Sequence, residues 1–490
     1  MRRRRSILDL VHDDFEACWR ASASRDRRFD GRFFIGVHST RIYCRPICPA
    51  PSAKRENVRF YPTAAAAAAA GLRACRRCRP ETAPGTPEWL GGSDTVARGL
   101  RLIADGYLDR QTVPELAREL CVGERQLRRL FVEHLGASPH LVARQRRLQL
   151  ARMLIDQTSL PMIDVASASG FSSLRRFNAS VRSAFGRSPS ELRRSARPRP
   201  NGVVALRLPY RPPLAWESLL GFLAARAVPG VEEARDDTYR RTIRTDAGGA
   251  LVEVTPIEGT AELAVRLELP SVDALRGLVT GVRAAFDLDA DPLAIHGSLD
   301  GLSGATPGLR VPGTLDPFEL AVRAVLGQQV SVQAARTLAG RMVERFGEPL
   351  PEPSDALTHL FPGPGVLVDA RIEAIGLPGA RAETIRRLAR AVAVEGLDLA
   401  PTSSPDDVRN RLAAIPGIGP WTVEYVAMRA MRDPDAFPAG DLGLRHALAA
   451  NGRPASATEV EQRSMAWRPW RAYAAVQLWE SLAAPSRVAA

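Results

Sequence analysis

The chain has 490 residues, a net charge of +13 and 45% hydrophobic residues. That length exceeds what one core can organise and implies three or four domains. No apolar run approaches the ~20 residues that span a bilayer, which excludes an integral membrane protein and makes a cytoplasmic one the expectation. The basic start, Met1 to Arg5, soon meets acids and offers no signal-peptide apolar region.

Charge is unevenly spread. Residues 1–200 hold 37 Lys and Arg against 19 Asp and Glu, whereas residues 201–490 hold 30 against 35. A basic half of this size is the footprint of a polyanion binder, nucleic acid before membrane surface, although biased genome composition also enriches arginine and alanine. Lys54 is the one lysine in the chain. Six cysteines in so long a chain argue against a disulfide framework. Cys18 and Cys121 stand alone, and Cys121, among apolar helix positions, is expected to be a small core residue.

Composition breaks divide the chain into 1–82, 95–196, 203–285 and 286–490. The breaks are a Pro/Thr-rich linker from Pro80 to Pro87 and a stiff, basic connector from Arg197 to Gly202. In the first segment Cys44 and Cys48 are separated by 26 residues, which include an alanine run, from Cys75 and Cys78. Two close cysteine pairs suit one tetrahedral Zn2+ with four sulfur ligands, structural or reactive. The stretch Asp30–Val37, the Tyr43–Cys48 run, Arg55–Tyr61 and Cys75-Arg76-Arg77-Cys78 together resemble the N-terminal domain of the Ada adaptive-response family. The resemblance implies that Cys44 is both a zinc ligand and the acceptor of a methyl group from a DNA methylphosphotriester. Zinc would keep its sulfur a nucleophilic thiolate at neutral pH. Four thiolates about a divalent ion carry −2, which repels phosphate; methylating one leaves −1, so damage itself would strengthen the arginines' hold on DNA. The alternative is a purely structural zinc with Cys44 inert.

The second segment repeats a helix-turn-helix pattern about 50 residues apart, at 112–134 and 161–185, each opening on a capped helix. The second helices present Arg125, Gln126, Arg128 and Arg129, then Arg175, Arg176 and Asn178; the helix between carries Arg144, Arg146 and Arg147. The run from Gly170 to Arg194 resembles the DNA-binding domain of AraC-type transcription regulators, which implies DNA contact through Arg125, Arg128, Arg175 and Arg176. The alternative is a helical bundle with a solvated charged face.

The third segment alternates strand-like runs at 203–208, 250–254 and 261–267 with helices near 214–226 and 271–285, an α+β module. The fourth is helical with Pro-Gly punctuation. In it Pro416-Gly417-Ile418-Gly419 can present backbone N–H groups to a phosphate without side-chain charge. Asp441 follows in a Gly-Asp-Leu run, and can cap the next helix. With Phe318–Ser331, these motifs resemble the helix-hairpin-helix glycosylases, the 3-methyladenine DNA glycosylase II (AlkA-like) type above all, over 205–485. The resemblance implies a catalytic Asp441, whose carboxylate would stabilise the charge that develops on the sugar and would orient water. Trp421 and Tyr425, four apart, with Trp479, are candidate walls of the pocket for a flipped cationic base; Trp467 and Trp470 suit core packing. Gly417, Gly419, Gln328 and Gln329 are candidate DNA contacts, although a family member can place an apolar wedge where Gln329 stands. Relatives that also cleave the strand use a lysine where Trp421 stands, so lyase activity is not expected. Without cysteines after Cys121, a cysteine-ligated iron–sulfur cluster is excluded, and no Pro-Cys-His-Arg motif for alkylguanine repair occurs.

The expected architecture is multidomain and mainly α with α+β parts: a four-cysteine zinc domain, an AraC-type double helix-turn-helix, an α+β (TBP-like) domain and a helix-hairpin-helix glycosylase domain. The expected function is a monofunctional alkylbase glycosylase fused to a methylphosphotriester sensor that regulates transcription. Its partners would be alkylated duplex DNA, promoter DNA and RNA polymerase, with no membrane, at the nucleoid. The alternative is a DNA-binding transcription regulator whose glycosylase half recognises lesions without catalysis.

Overall fold

The computed structural model describes residues 14–80, 83, 94–193, 203–299, 302, 305–449 and 453–487. The linker after Pro80 (apart from residue 83) and the connector from Arg197 lie outside the described residues. No helix among those described is long and apolar enough to cross a membrane.

The first module is a four-stranded sheet in the order Val58–Tyr61, Phe34–Val37, Ile42–Cys44 and Arg73–Ala74, antiparallel except for the last pair. The alanine run forms the helix Ala64–Ala69, capped by Thr63, whose hydroxyl accepts from Ala66 N and donates to the Leu135 carbonyl at 2.8 Å. Small side chains let this helix lie close against the next module, and Ala64 to Ala67 are all buried.

The helical module places Val113–Glu119 before Glu124–Leu135, and Met162–Ala168 before Leu174–Phe185, joined by the long helix Pro139–Gln157. Thr112 and Glu115 form the expected capping box, whereas Pro161 supplies no side-chain cap to the second unit. Cys121 is not core. It is exposed in the turn, with φ 55°, because the helical periodicity stops at Glu119 and Leu120 takes the buried place.

The α+β module is a five-stranded antiparallel sheet ordered Val203–Pro209, Glu262–Glu268, Gly248–Pro256, Thr238–Thr245, Glu232–Arg235, with helices Trp216–Arg226 and Leu275–Ala285. The last two strands, and a hairpin of Glu348–Ser354 with Leu357–Leu360 inside the helical half, were not visible in the sequence pattern. Both are charged or proline-rich, and their pairing rather than their alternation makes them strands.

The modules do not keep separate cores. One apolar cluster joins Phe34 and Tyr43, then Leu154, Phe177 and Val181, then Leu206, Val252 and Phe286. Where the α+β sheet meets the helical half, Arg241 donates to Glu232 at 3.3 Å and to Glu319 at 2.6 Å, and Arg323 bridges the same two carboxylates. These side chains are buried, and Arg323 and Arg241 hold the Glu232 carboxyl at about 2 against the upward push of burial. Breaking such a network strands a charge. Arg241→Met is expected to lower stability by ~3–5 kcal/mol, read as a shift of the urea midpoint with zinc content unchanged.

Candidate functional site

The strand Ile42–Cys44 ends on the first cysteine, and a turn closed by Cys48 N donating to the Arg45 carbonyl supplies the second. Parallel pairing anchors the other pair, with Cys75 N donating to the Tyr43 carbonyl at 2.9 Å. The four sulfurs lie within 4.8 Å of one another, and Cys44, Cys48, Cys75 and Cys78 are each 8–9% exposed. Close convergence of four soft donors, not bonded as disulfides, is what a tetrahedral zinc ion requires. Arg45 N also donates to Cys78 Sγ at 3.3 Å.

The second helix-turn-helix unit sits beside this cluster. At Gly186, the left-handed cap of Leu174–Phe185, an added Cβ would lie 3.0 Å from Arg76 Nη2 and 3.4 Å from Arg73 Nη1. Arg125, Arg175 and Arg176 are exposed on their helices; Arg128 is exposed too, but pairs with Glu124 one turn back. Arg147 of the connecting helix instead turns inward to Asp109 at 3.4 Å.

In the C-terminal half, the helices Pro405–Ala413 and Pro420–Arg429 form the hairpin. Gly417 has φ +93°, and a Cβ there would stand 2.0 Å from Thr384 Oγ1; a Cβ at Gly419 would meet nothing within 4 Å. No side chain caps the helix that follows Gly419, so its first-turn N–H groups face an open approach. Gln328 is spent on bracing this turn, its amide donating to the Gly417 carbonyl and Thr422 hydroxyl at 3.0 Å each. Gln329 beside it is exposed at a tight turn with φ 56°.

Beside the hairpin opens a cavity of about 1060 Å³ lined by Gln329, Trp421, Tyr425, Asp441 and Trp479, among others. Asp441 caps Leu442–Ala447 through Leu444 N at 3.0 Å, and it also accepts from both indoles, Trp421 Nε1 and Trp479 Nε1, at 2.9 Å each. Three N–H donors fix both carboxylate oxygens in place. Trp421 and Tyr425 stack at 5.0 Å and 17°, and Trp479 approaches Tyr425 at 6.4 Å. Trp467 and Trp470 are buried away from this wall, as core residues.

Three residues at this aromatic wall were not picked out by the sequence pattern: Phe222 behind Trp479, and the cavity-lining Arg226 and Arg429. Phe222, from the α+β module, stacks on Trp479 at 6.2 Å. Arg226 lies 3.7 Å over the Phe222 ring, and Arg429 donates to the Tyr425 hydroxyl at 2.6 Å. Burial raises the Tyr425 phenol, but Arg429 and Arg226 outweigh it and pull it below its ordinary value. The helical spacing Phe222–Arg226 was there to read; its meeting with Trp479, more than 250 residues on, was not.

Family models divide the chain as the geometry does. The metal binding domain of Ada matches residues 17–81, a helix-turn-helix domain 116–195, the AlkA N-terminal domain 205–316, and the HhH-GPD superfamily of base excision DNA repair proteins 322–471. The fold and sites thus define a DNA-binding repair protein with a four-cysteine zinc centre. A Mycobacterium tuberculosis protein named "Probable bifunctional transcriptional activator/DNA repair enzyme AlkA" is 47% identical across 97% of this chain and 98% of its own length. The chain belongs to this AlkA family of bifunctional activator/repair proteins. DNA-3-methyladenine glycosylase 2 of Escherichia coli is 35% identical over 56% of this chain and 95% of its own. The Escherichia coli bifunctional transcriptional activator/DNA repair enzyme Ada is 38% identical over 25% of this chain and 33% of its own.

The two hairpin glycines separate by geometry. Gly417→Ala is expected to displace the turn and weaken binding to duplex DNA containing an abasic-site analogue by about tenfold or more, the equivalent of ~1.4 kcal/mol. Gly419→Ala is expected to fold normally, and fluorescence anisotropy with circular dichroism checks both.

Proposed function

We propose that this protein excises alkylated bases from DNA by hydrolysis with Asp441 as the catalytic carboxylate, and that Cys44 removes methyl groups from methylphosphotriesters. The clamped Asp441 carboxylate at the edge of an aromatic cavity carries the first part. Free first-turn N–H groups after Gly419 grip the backbone, and Gln329 fills the gap the flipped nucleotide leaves. As the C1′–N bond breaks, its electron pair leaves with the base and positive charge grows on the sugar. Asp441, held by two indoles and a backbone N–H, faces that charge without reorganising and directs water to C1′. The family signature of a strand-cleaving lysine is missing, since Lys54 is the one lysine, so hydrolysis ends the reaction.

Convergence of four sulfurs supports the second part. Zinc bound there keeps the sulfurs as thiolates at neutral pH. Cys44 Sγ attacks the methyl carbon; the S–C bond forms as the C–O bond breaks, and the electron pair stays on oxygen, leaving an ordinary phosphodiester. Removing one negative charge from a cluster flanked by Arg45, Arg73, Arg76 and Arg77 strengthens its hold on DNA. Arg125, Arg128, Arg175 and Arg176 would then engage promoter DNA, with RNA polymerase as the further partner. The reading places the work at the nucleoid in the cytoplasm.

Release of methylated purines from alkylated DNA tests the enzyme. Asp441→Asn is expected to slow release by ~10²–10⁴-fold while DNA affinity is kept. Equal release by both proteins would remove Asp441 from the chemistry, and no release by either would favour a regulator that only recognises lesions. A Cys44→Ala protein is expected to release bases normally but to gain no methyl in a peptide mass spectrum, where the wild type gains one on the Cys44 peptide.

A further inference from the structure

The acceptor loop is wired directly into the glycosylase half. Arg45, the residue after Cys44, turns its guanidinium onto Asp30, with Nε donating to Oδ1 at 2.8 Å and Nη2 to Oδ2. Asp30 is 5% exposed, so Arg45 is the partner that makes its burial tolerable. The next two residues cross to the other half. The Gly31 carbonyl accepts from Arg211 Nη2 at 3.3 Å, and Arg211, fully buried, also donates to the Asp289 carbonyl at 2.9 Å. Arg32 then forms two parallel hydrogen bonds of 2.5 Å to Asp291, whose carboxylate also caps the helix Pro292–His296. The side chains of Arg32 and Asp291 are 10% and 2% exposed.

We propose that this face of the sensor is an interaction surface with two competing partners: the glycosylase half of its own chain, and the DNA backbone beside the methylphosphotriester from which Cys44 takes a methyl group. The proposal rests on the sensor reading above. Arg45 is the cation adjacent in sequence to the acceptor, and a phosphodiester flanking the neutral methyl ester is an anionic partner that a guanidinium can hold bidentately. Turning to it, Arg45 leaves Asp30 buried and unpaired. The cost of that stranded carboxylate is relieved when Asp30 moves toward water, and Gly31 and Arg32 move with it. Arg211 then loses the Gly31 carbonyl and Asp291 loses Arg32, and the sensor undocks. Because the linkage is reciprocal, docking onto the glycosylase half weakens the sensor's binding to DNA by the same factor by which DNA engagement weakens docking, and methyl transfer slows with it.

The test uses full-length, zinc-loaded protein and a duplex bearing methylphosphotriesters, with methyl on the Cys44 peptide followed by mass spectrometry. Arg32→Gln, which loosens docking, and Asp30→Asn, which frees Arg45, are each expected to accelerate transfer about fivefold or more. Arg32→Lys, which keeps the charge but loses the bidentate fork, is expected to fall between the wild type and Arg32→Gln. A pair that is merely structural would leave transfer unchanged or slower. In the wild type, amides of Leu293 and Ala294, which Asp291 caps, are expected to exchange hydrogen faster once Cys44 is methylated on DNA. Unchanged or slower transfer in both Arg32→Gln and Asp30→Asn, or exchange indifferent to methylation, overturns the competition. Absence of any methyl on wild-type Cys44 overturns the sensor reading instead.

Discussion

A guanidinium removed from water must find fixed partners, and this molecule uses that requirement at its joints. With a single lysine in the chain, arginine serves nearly every cationic role. Its planar fork can hold two acceptors in one geometry, which a rotating ammonium does not. Arg241 and Arg323 lock the α+β sheet to the hairpin helices, Arg32 and Arg211 lock the zinc module to the same half, and Arg276 donates to the Ala168 carbonyl while pairing with Asp109. Such pairs contribute modest net stability, because desolvation offsets most of the attraction. What they supply is orientation, since a misplaced module would leave a charge buried without its partner.

The same chain meets one polyanion in two electrostatic ways. Arg125, Arg175 and Arg176 are exposed on the second helices of the helix-turn-helix units, so attraction to DNA there would be long-ranged and dependent on salt. The glycosylase half has more acids than bases, and its hairpin instead presents uncapped backbone N–H groups at a helix start. Those act only within the first turn and only if the turn has the right shape. Thr384 packed under Gly417 and Gln328 braced against its carbonyl are the parts that hold that shape.

Asp441 shows how one carboxylate can cap a helix and still be offered to a cavity. Its Oδ1 accepts from Leu444 N as an ordinary helix cap and from Trp479, and its Oδ2 accepts from Trp421. The cap sets the backbone and the indoles set the torsion, so the carboxylate enters the cavity already oriented. The aromatic wall around it is not a simple electron-rich cage. Arg226 and Arg429 line the same cavity and lie against Phe222 and Tyr425, so a cationic base bound there would share those rings with two guanidinium groups.

Local spacing made much of this legible. Cysteine pairs in a strand-end and turn register, two helix-turn-helix units, the Pro-Gly-Ile-Gly turn and the capping position of Asp441 are each written within about 35 residues or fewer, and each took the predicted form apart from the missing side-chain cap at Pro161. Cys121 misled because apolar neighbours look alike in a helix and in the turn that ends it. The strands 232–245 and the hairpin 348–360 were hidden because their residues alternate weakly and pair strongly. By itself, then, the sequence determined the chemistry each module carries, since metal ligation, capping and turn geometry depend on neighbours along the chain. Tertiary structure alone decided which rings and guanidinium groups surround Asp441, and that Arg32 meets Asp291 across 259 positions. Contacts at that separation leave no period in the sequence, because their partners are chosen by packing and by the need of every buried charge for a counterpart.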